Sequence, residues 1–288
     1  MNATERIVEF TCYQSRMFGV LHVPAQHVRM GLLVIGRTGS DRGAVHLSRA
    51  WAQRGIASFR FDFRGRGECE GAVVSVEDTS EDLSCAIRAF RDAVPKIEKV
   101  VIWGLSEGGA AALLYSHQDP IVAGLVLVNP WIRMELAVAK QHLRLNVRRL
   151  FNQAFLNRIR QSEGGYFGAA ESFFRLLRNV AAAPKTPSSL KTKVIGGFFR
   201  FNGPVCLILS GDDPATMIFQ SAAAEHLAVL REAGRLTLHT LPDANHVFSR
   251  SDWRAELATW TADWVLQTIP LSCYEPTQPK DVPAYQLR

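Results

Sequence analysis

The chain of 288 residues is 47% hydrophobic and 21% charged, with a formal net charge of +6, which is typical of a globular protein with a large core. No apolar run reaches the roughly 18 residues of a membrane span. The first residues lack the apolar stretch of a signal peptide, so we expect a cytoplasmic protein. The five cysteines are scattered without metal-ligand spacing. Reduced thiols, no metal site and no cofactor are therefore expected.

Strand-like and helix-like segments alternate along most of the chain. Short apolar runs predict strands at 10–12, 18–23, 32–35, 57–61, 100–104, 125–128, 205–209 and 236–241. Helical patterns lie near 43–54, 80–94, 106–117, 215–233 and 252–267. The first two strands form a hairpin, and the later alternation predicts a mostly parallel sheet of about eight strands with helices on both faces. In such sheets, functional residues follow the carboxyl ends of the strands.

A segment between residues 131 and 203 interrupts the alternation and holds most of the positive charge. Residues 131–202 contain 13 Lys or Arg and three acidic residues, a formal charge of 13 − 3 = +10, whereas the rest carries 20 − 24 = −4. Apolar spacing predicts one amphipathic helix over 136–154 and a second over 171–180, with 183–189 as a linker back to the sheet. We divide the chain into a core (1–130 and 204–269), a basic helical cap insert (131–203) and a Pro-rich tail (270–288).

Residues 104–108 read G-L-S-E-G and lie between a predicted strand and a predicted helix. A serine on so tight a turn holds its hydroxyl out of the helix, and the flanking glycines let strand and helix approach each other. The first N–H groups of the helix, including that of Glu107, lack intrahelical partners and can stabilise negative charge on a substrate oxygen. Ser106 is therefore the predicted nucleophile.

A serine nucleophile needs a base, which an acid orients. Of the five histidines that follow Ser106, His246 lies in a turn-rich loop between a predicted strand and the final helix, where a base can reach the nucleophile. The acid should follow the strand at 205–209, where Asp212 and Asp213 are adjacent. Spacing leaves both open. We expect one to cap the helix that begins at Pro214 and the other to orient the histidine.

Together, these segments resemble the α/β-hydrolase superfamily over about residues 5 to 268, apart from the insert. Residues 36–39 (G-R-T-G) are similar to the family's oxyanion loop, with Ile35 in place of its usual histidine. Residues 62–71 (D-F-R-G-R-G-E-C-E-G) are similar to its D-x-R-G-x-G-x-S turn, with Cys69 in place of the serine. The resemblance implies the α/β-hydrolase fold, a second oxyanion N–H from Arg37 and a helical cap over the site.

A narrower resemblance concerns the hydrolases associated with exosortase A and exopolysaccharide gene clusters. Residues 127–131 (L-V-N-P-W) and 210–213 (S-G-D-D) carry it. That subgroup places the acid second after the glycine, which favours Asp213 over Asp212. The subgroup does not supply a substrate.

The expected activity is cleavage of an ester or thioester bond by Ser106, His246 and Asp213 through an acyl-enzyme. An acyltransferase would use the same residues. A third alternative is a catalytically idle hydrolase fold that only binds, which the unusual Ile35 and Arg37 keep open.

The charge of the insert has three interpretations: a solvated surface, attraction of an anionic substrate, or contact with an anionic membrane surface. An acyl-CoA, an acyl group on a carrier protein or an acidic polysaccharide would be such a substrate. Nucleic acid is not expected, because no binding motif accompanies the charge. We predict that Trp131, Arg144 and Arg148 contact the substrate. The sequence carries no signal for the oligomeric state.

Overall fold

A computed structural model describes residues 3–25, 28–35, 43–132 and 189–269, and within them it forms one eight-stranded sheet. The strands are β1 (Thr4–Cys12), β2 (Ser15–Val23), β3 (Met30–Ile35), β4 (Ala57–Phe61), β5 (Lys99–Leu105), β6 (Val122–Val128), β7 (Val205–Ser210) and β8 (Leu236–Leu241). Their order across the sheet is β1-β2-β4-β3-β5-β6-β7-β8. β1 pairs with β2, and β2 with β4, antiparallel, whereas every pairing from β4 to β8 is parallel. The predicted mostly parallel sheet is confirmed.

Helices cover both faces of this sheet. In the described residues they are α1 (Gly43–Gln53), α2 (Ser80–Ala93), α3 (Glu107–Tyr115), α4 (Ser189–Arg200), α5 (Pro214–Glu232) and α6 (Ser251–Thr268). Two short 3-10 turns occupy Val76–Asp78 and Ser116–Gln118. Residues of α2, α3, α4 and α5 pack into one apolar core, and residues of α1 and α6 pack into a second core on the opposite face.

The central strand β5 shows why both cores form. Val100 and Ile102 belong to the first core, whereas Val101 and Trp103 belong to the second, because successive side chains of a strand point to opposite faces. All four are buried. Such full burial stabilises the fold by about 1.5–3 kcal/mol for each large apolar side chain. A parallel strand covered on both faces therefore has an unbroken apolar sequence, which is the signal that predicted it.

The amino-terminal hairpin is longer than its sequence pattern predicts. β1 and β2 each span nine residues, and much of β1 is exposed on the edge of the sheet. Cys12 pairs with Ser15, so Tyr13 and Gln14 form the turn, with Tyr13 at φ +52°. Because an edge strand with an exposed face alternates polar and apolar residues, a search for apolar runs detects only its inner end.

Helix α4 was not predicted. Residues such as Thr192, Val194 and the pair Gly196–Gly197 lower helix propensity, but tertiary packing compensates. A Cβ at Gly197 would lie 2.4 Å from the carbonyl oxygen of Leu113, so glycine allows α4 to approach α3 closely. Phe198 is buried in the same core as α3. The last part of the 131–203 segment, which forms α4, thus packs into the first core. The two helices predicted earlier in this segment and the tail lie outside the described residues.

Two expectations from composition can be compared with the described residues. Cys12, Cys69, Cys85 and Cys206 are free and buried, whereas Cys273 lies outside the described residues. Burial raises the pKa of the Cys206 thiol to about 12, so it stays protonated at neutral pH. Among the residues that the structure describes, no helix combines the length and hydrophobicity needed to cross a membrane.

A buried histidine on β2 should make stability depend on pH. His22 is 1% exposed, and its Nε2 lies 3.3 Å from the Oε2 of Glu5, which also pairs with Arg49 and lies near Arg60. Burial lowers the pKa of His22; the positive charges of Arg60 and Arg49 act in the same direction and Glu5 opposes them. The folded protein therefore binds fewer protons at this site than the unfolded chain.

We expect the free energy of unfolding to fall as the pH drops below about 6.5, the ordinary pKa of histidine, and His22→Gln to weaken this dependence. Urea unfolding curves between about pH 7 and about pH 5 measure it. The matched control is His46→Gln, at an exposed histidine of α1, which should keep the wild-type pH dependence. Identical pH dependence in His22→Gln and wild type would contradict the assignment to His22.

Candidate active site

Ser106 lies on a strained turn between β5 and α3. Its backbone has φ +55° and ψ −115°, a region that non-glycine residues rarely occupy. The turn is tight enough to require its glycines: a Cβ at Gly104 would lie 2.5 Å from the carbonyl carbon of Gly108, and one at Gly108 would lie 2.4 Å from the carbonyl oxygen of Ile35. This geometry matches the strand–turn–helix context expected of a nucleophile elbow.

The backbone of Ser106 is held by the segment that follows β6. Its N–H donates to the carbonyl oxygen of Val128 at 2.9 Å, and its own carbonyl oxygen accepts from the N–H of Trp131 at 3.0 Å. These bonds brace the strained turn from outside α3. The Trp131 side chain is half-buried against the first core, and its predicted contact with substrate stays a prediction.

The two other predicted catalytic side chains are hydrogen-bonded to each other. Nδ1 of His246 lies 2.5 Å from Oδ2 of Asp213, and the two residues are only 7% and 4% exposed. Asp213 follows β7, and His246 follows β8, so parallel strands bring both to the same edge of the sheet. A buried carboxylate on Nδ1 fixes the ring orientation and leaves Nε2 to accept a proton.

Asp213 does the two jobs that we expected Asp212 and Asp213 to share. Its Oδ1 accepts the N–H of Ala215 at 3.0 Å as the N-cap of α5, while its Oδ2 contacts the histidine. The prediction that one aspartate caps α5 while the other orients the histidine was therefore wrong. A carboxylate has two oxygens, and an N-cap residue with an extended backbone can direct them to different partners. The side chain of Asp212 is exposed.

The predicted nucleophile and the predicted base share no hydrogen bond in the described residues. Among the described residues, no hydrogen bond joins the Ser106 hydroxyl to another side chain. In ligand-free sites such bonds are often long and tighten when substrate binds. All three residues nevertheless follow strands β5, β7 and β8 at the carboxyl edge.

A charged pair lies beside Ser106. Nη1 of Arg66 donates to Oε2 of Glu107 at 2.9 Å, and both side chains are partly exposed. In the sequence, Arg66 stands out only as part of the turn motif of residues 62–71. Because Glu107 directly follows Ser106, an unpaired carboxylate there would oppose negative charge developing near its backbone N–H. Arg66 offsets that charge.

A second residue whose role was not predicted is Asn129, which is 2% exposed and directly follows β6. Its side chain bonds to Ser210 and to the backbone of His246. The sequence signals for it are its polar side chain directly after the apolar run 122–128 and its place in the segment L-V-N-P-W, neither of which assigns it a contact. Asn129 also has φ +42°, a conformation that asparagine tolerates better than most residues.

Several predicted residues cannot be located. Arg37, Arg144 and Arg148 lie outside the described residues. Of the 13 basic residues in 131–202, Lys191, Lys193 and Arg200 lie on α4, where Nζ of Lys193 pairs with Oε1 of Glu77 at 2.9 Å. Within the described ranges, no three His, Cys, Asp or Glu side chains are grouped so as to hold a metal ion.

The mostly parallel sheet, with helices on both faces and a tight strand–turn–helix at Ser106, is the architecture of the α/β-hydrolase class. Residues 29–178, more than half of the chain, match the family model described as serine aminopeptidase, S33. The chain therefore belongs to this family of α/β-hydrolases. A search of curated protein sequences finds no match to it.

Solved structures of hydrolases share the fold. An esterase of Pyrococcus furiosus is 16% identical with a TM-score of 0.64, and the match covers 93% of this chain and 92% of that one. An esterase domain from Rhodothermus marinus is 22% identical, with a TM-score of 0.58 and coverage of 93% and 100%. Proline iminopeptidase of Mycobacterium smegmatis is 17% identical, with a TM-score of 0.63 and coverage of 92% and 98%. At these identities the likeness concerns the fold alone.

Proposed function

We propose that this protein is a serine hydrolase that cleaves an ester or thioester bond through Ser106, His246 and Asp213. The observation that carries the proposal is the strained turn at Ser106, on the same sheet edge as the buried Asp213–His246 pair. Strain of this kind persists where surrounding structure enforces it, and it concentrates at functional sites. Membership in a hydrolase family supports the same conclusion.

The chemistry follows from the roles of the three side chains. The Ser106 hydroxyl oxygen forms a bond to the acyl carbon while Nε2 of His246 takes its proton, and Asp213 stabilises the imidazolium through Nδ1. Collapse of the tetrahedral intermediate breaks the bond to the leaving group, which receives the proton from His246. Water, deprotonated by the same ring, then attacks the acyl-serine, releasing the carboxylic acid and restoring Ser106.

The N–H of Glu107, at the start of α3, and that of Arg37 are the proposed donors to the intermediate's oxyanion. A donor of this type contributes about 3 kcal/mol to transition-state stabilisation in comparable sites. The Arg66–Glu107 ion pair supports this assignment, since it keeps the carboxylate of Glu107 from repelling the oxyanion.

An ester or thioester is the proposed substrate. The structural relatives include esterases and an iminopeptidase, and the narrower resemblance to exosortase A-associated hydrolases does not supply a substrate. The charge of +10 in residues 131–202 favours an anionic acyl donor such as an acyl-CoA.

Labelling with a fluorophosphonate probe tests the proposal directly, because the probe reacts only with an activated serine. We expect wild type to be labelled and Ser106→Ala not to be. Turnover is then compared among p-nitrophenyl esters, acyl-CoAs and an amino-acyl p-nitroanilide, with an alcohol added as an alternative acyl acceptor. Absence of labelling would reject the serine hydrolase. Preference for the anilide would make it a peptidase, and transfer to the alcohol an acyltransferase.

The anionic-substrate proposal predicts a change in substrate preference when charge is reversed. Arg144→Glu with Arg148→Glu should lower kcat/KM for an acyl-CoA and leave a neutral short-chain ester nearly unchanged. The effect should shrink as salt rises, because attraction between exposed charges is screened over about 8 Å at physiological ionic strength. Lys193→Glu, which removes a cation already paired with Glu77, is the control. Equal losses for both substrates would contradict the proposal.

A further inference from the structure

Asn129 connects the segments that carry the proposed catalytic residues. It follows β6 and makes four hydrogen bonds in a buried position. Its Nδ2 donates to the carbonyl oxygen of His246 at 2.8 Å and to Oγ of Ser210 at 2.9 Å, while its Oδ1 accepts the N–H of Ser210 at 2.8 Å. Its backbone N–H donates to the carbonyl oxygen of Ile208 at 3.0 Å. Both amide hydrogens are therefore used, and a buried amide so satisfied has one orientation.

The residues on either side of Asn129 hold the nucleophile. The carbonyl oxygen of Val128 accepts the N–H of Ser106, and the N–H of Trp131 donates to the carbonyl oxygen of Ser106. Residues 128–131 therefore bond to the peptide of Ser106 through their backbone and to the peptide of His246 through the Asn129 side chain. The relative placement of nucleophile and base, which share no hydrogen bond with each other in the described residues, depends on this segment.

We propose that Asn129 is a positioning residue that holds the His246 peptide in register with Ser106. It is too buried to touch substrate, so it acts through the histidine. The expected effect of Asn129 on kcat rests on the proposed function, whereas its effect on the position of His246 does not. The bond to His246 is the decisive one, because Ser210 is already fixed as the end of β7.

The choice of variant follows from the backbone conformation. Asn129→Gly removes the side chain without adding strain at φ +42°, and Asn129→Ala repeats the deletion with a Cβ. We expect each to lower kcat for a neutral p-nitrophenyl ester by about 10- to 100-fold, since misplacement of a catalytic group by about 1 Å has effects of this size. KM should stay within about threefold, because no substrate contact is removed.

Two controls separate positioning from stability. Ser210→Ala deletes one partner of the same amide and keeps the bond to His246, so kcat should stay within about threefold of wild type. Trp264→Phe removes a hydrogen bond of 3.1 Å to Thr237, which lies at the amino end of β8, away from the carboxyl ends of the strands. It should lower stability and leave kcat unchanged. Rates are measured at a temperature at which circular dichroism shows every variant folded.

A spectroscopic readout tests the inference independently of turnover. The proton between His246 and Asp213 should give a low-field NMR signal in wild type, assigned by its loss in His246→Ala. Asn129→Gly should shift or broaden this signal, whereas Ser210→Ala and Trp264→Phe should retain it. If wild type proves inactive and the signal still responds to Asn129→Gly, the hydrolase proposal fails and the positioning role stands. The positioning role would be overturned if folded Asn129→Gly kept the wild-type signal and kcat. It would also be overturned if Ser210→Ala lowered kcat as much as Asn129→Gly does.

Discussion

Ser106→Ala and His246→Ala are each expected to lower kcat by several thousand-fold or more, with the fold intact. The reason is that the hydroxyl is a weak nucleophile without its base, and the base has no nucleophile to activate without the hydroxyl. Neither side chain belongs to the two apolar cores, so both variants should remain folded, which thermal unfolding checks. Steady-state kinetics on the best ester of the panel measure the effect.

The double variant tests whether the two residues act as one unit. Ser106→Ala combined with His246→Ala should cost little beyond either change alone, because removing one member already abolishes the shared step. His239→Ala is the matched histidine control. His239 lies on β8, and its ring stacks on that of Trp260 with 4.5 Å between ring centroids. It should keep near-wild-type kcat. Losses that multiply in the double variant would contradict the assignment.

The second large effect is expected at Asp213. Asp213→Asn should lower kcat by about 10³- to 10⁴-fold, because an amide N–H cannot accept the proton of Nδ1 and favours the wrong ring tautomer. The amide oxygen can still cap α5, so stability should be nearly preserved. Asp213→Ala should also destabilise the protein by about 1 kcal/mol through loss of the cap. Kinetics and thermal melts of the two variants separate the two jobs.

Asp212→Asn is the neighbouring control. Its side chain is exposed, and we expect at most a few-fold loss in rate. If Asp212→Asn were the more damaging change by about a hundred-fold, the roles of the two carboxylates would be reversed.

Local signals were enough to predict the frame of the molecule. Strands buried on both faces, such as β5, β6 and β7, have unbroken apolar sequences, and the elbow glycines and the turn-rich loop of His246 stand out against them. Each signal depends on neighbours in the chain, so no knowledge of the fold is needed to detect it. The exposed hairpin and α4 were less well predicted, because edge exposure and packing against α3 are not local properties.

By itself, the sequence determined that an α/β sheet would bring a serine, a histidine and one of two aspartates to one edge, since the order of strand ends along the chain dictates it. Only the tertiary structure decided that Asp213 meets His246 while capping α5, that Arg66 pairs with Glu107, and that Asn129 joins the histidine peptide to β7. These pairs are separated by up to 117 residues in sequence. Hydrogen bonds depend on tenths of an ångström and on the direction of each lone pair, and such geometry exists only once the strands are in register.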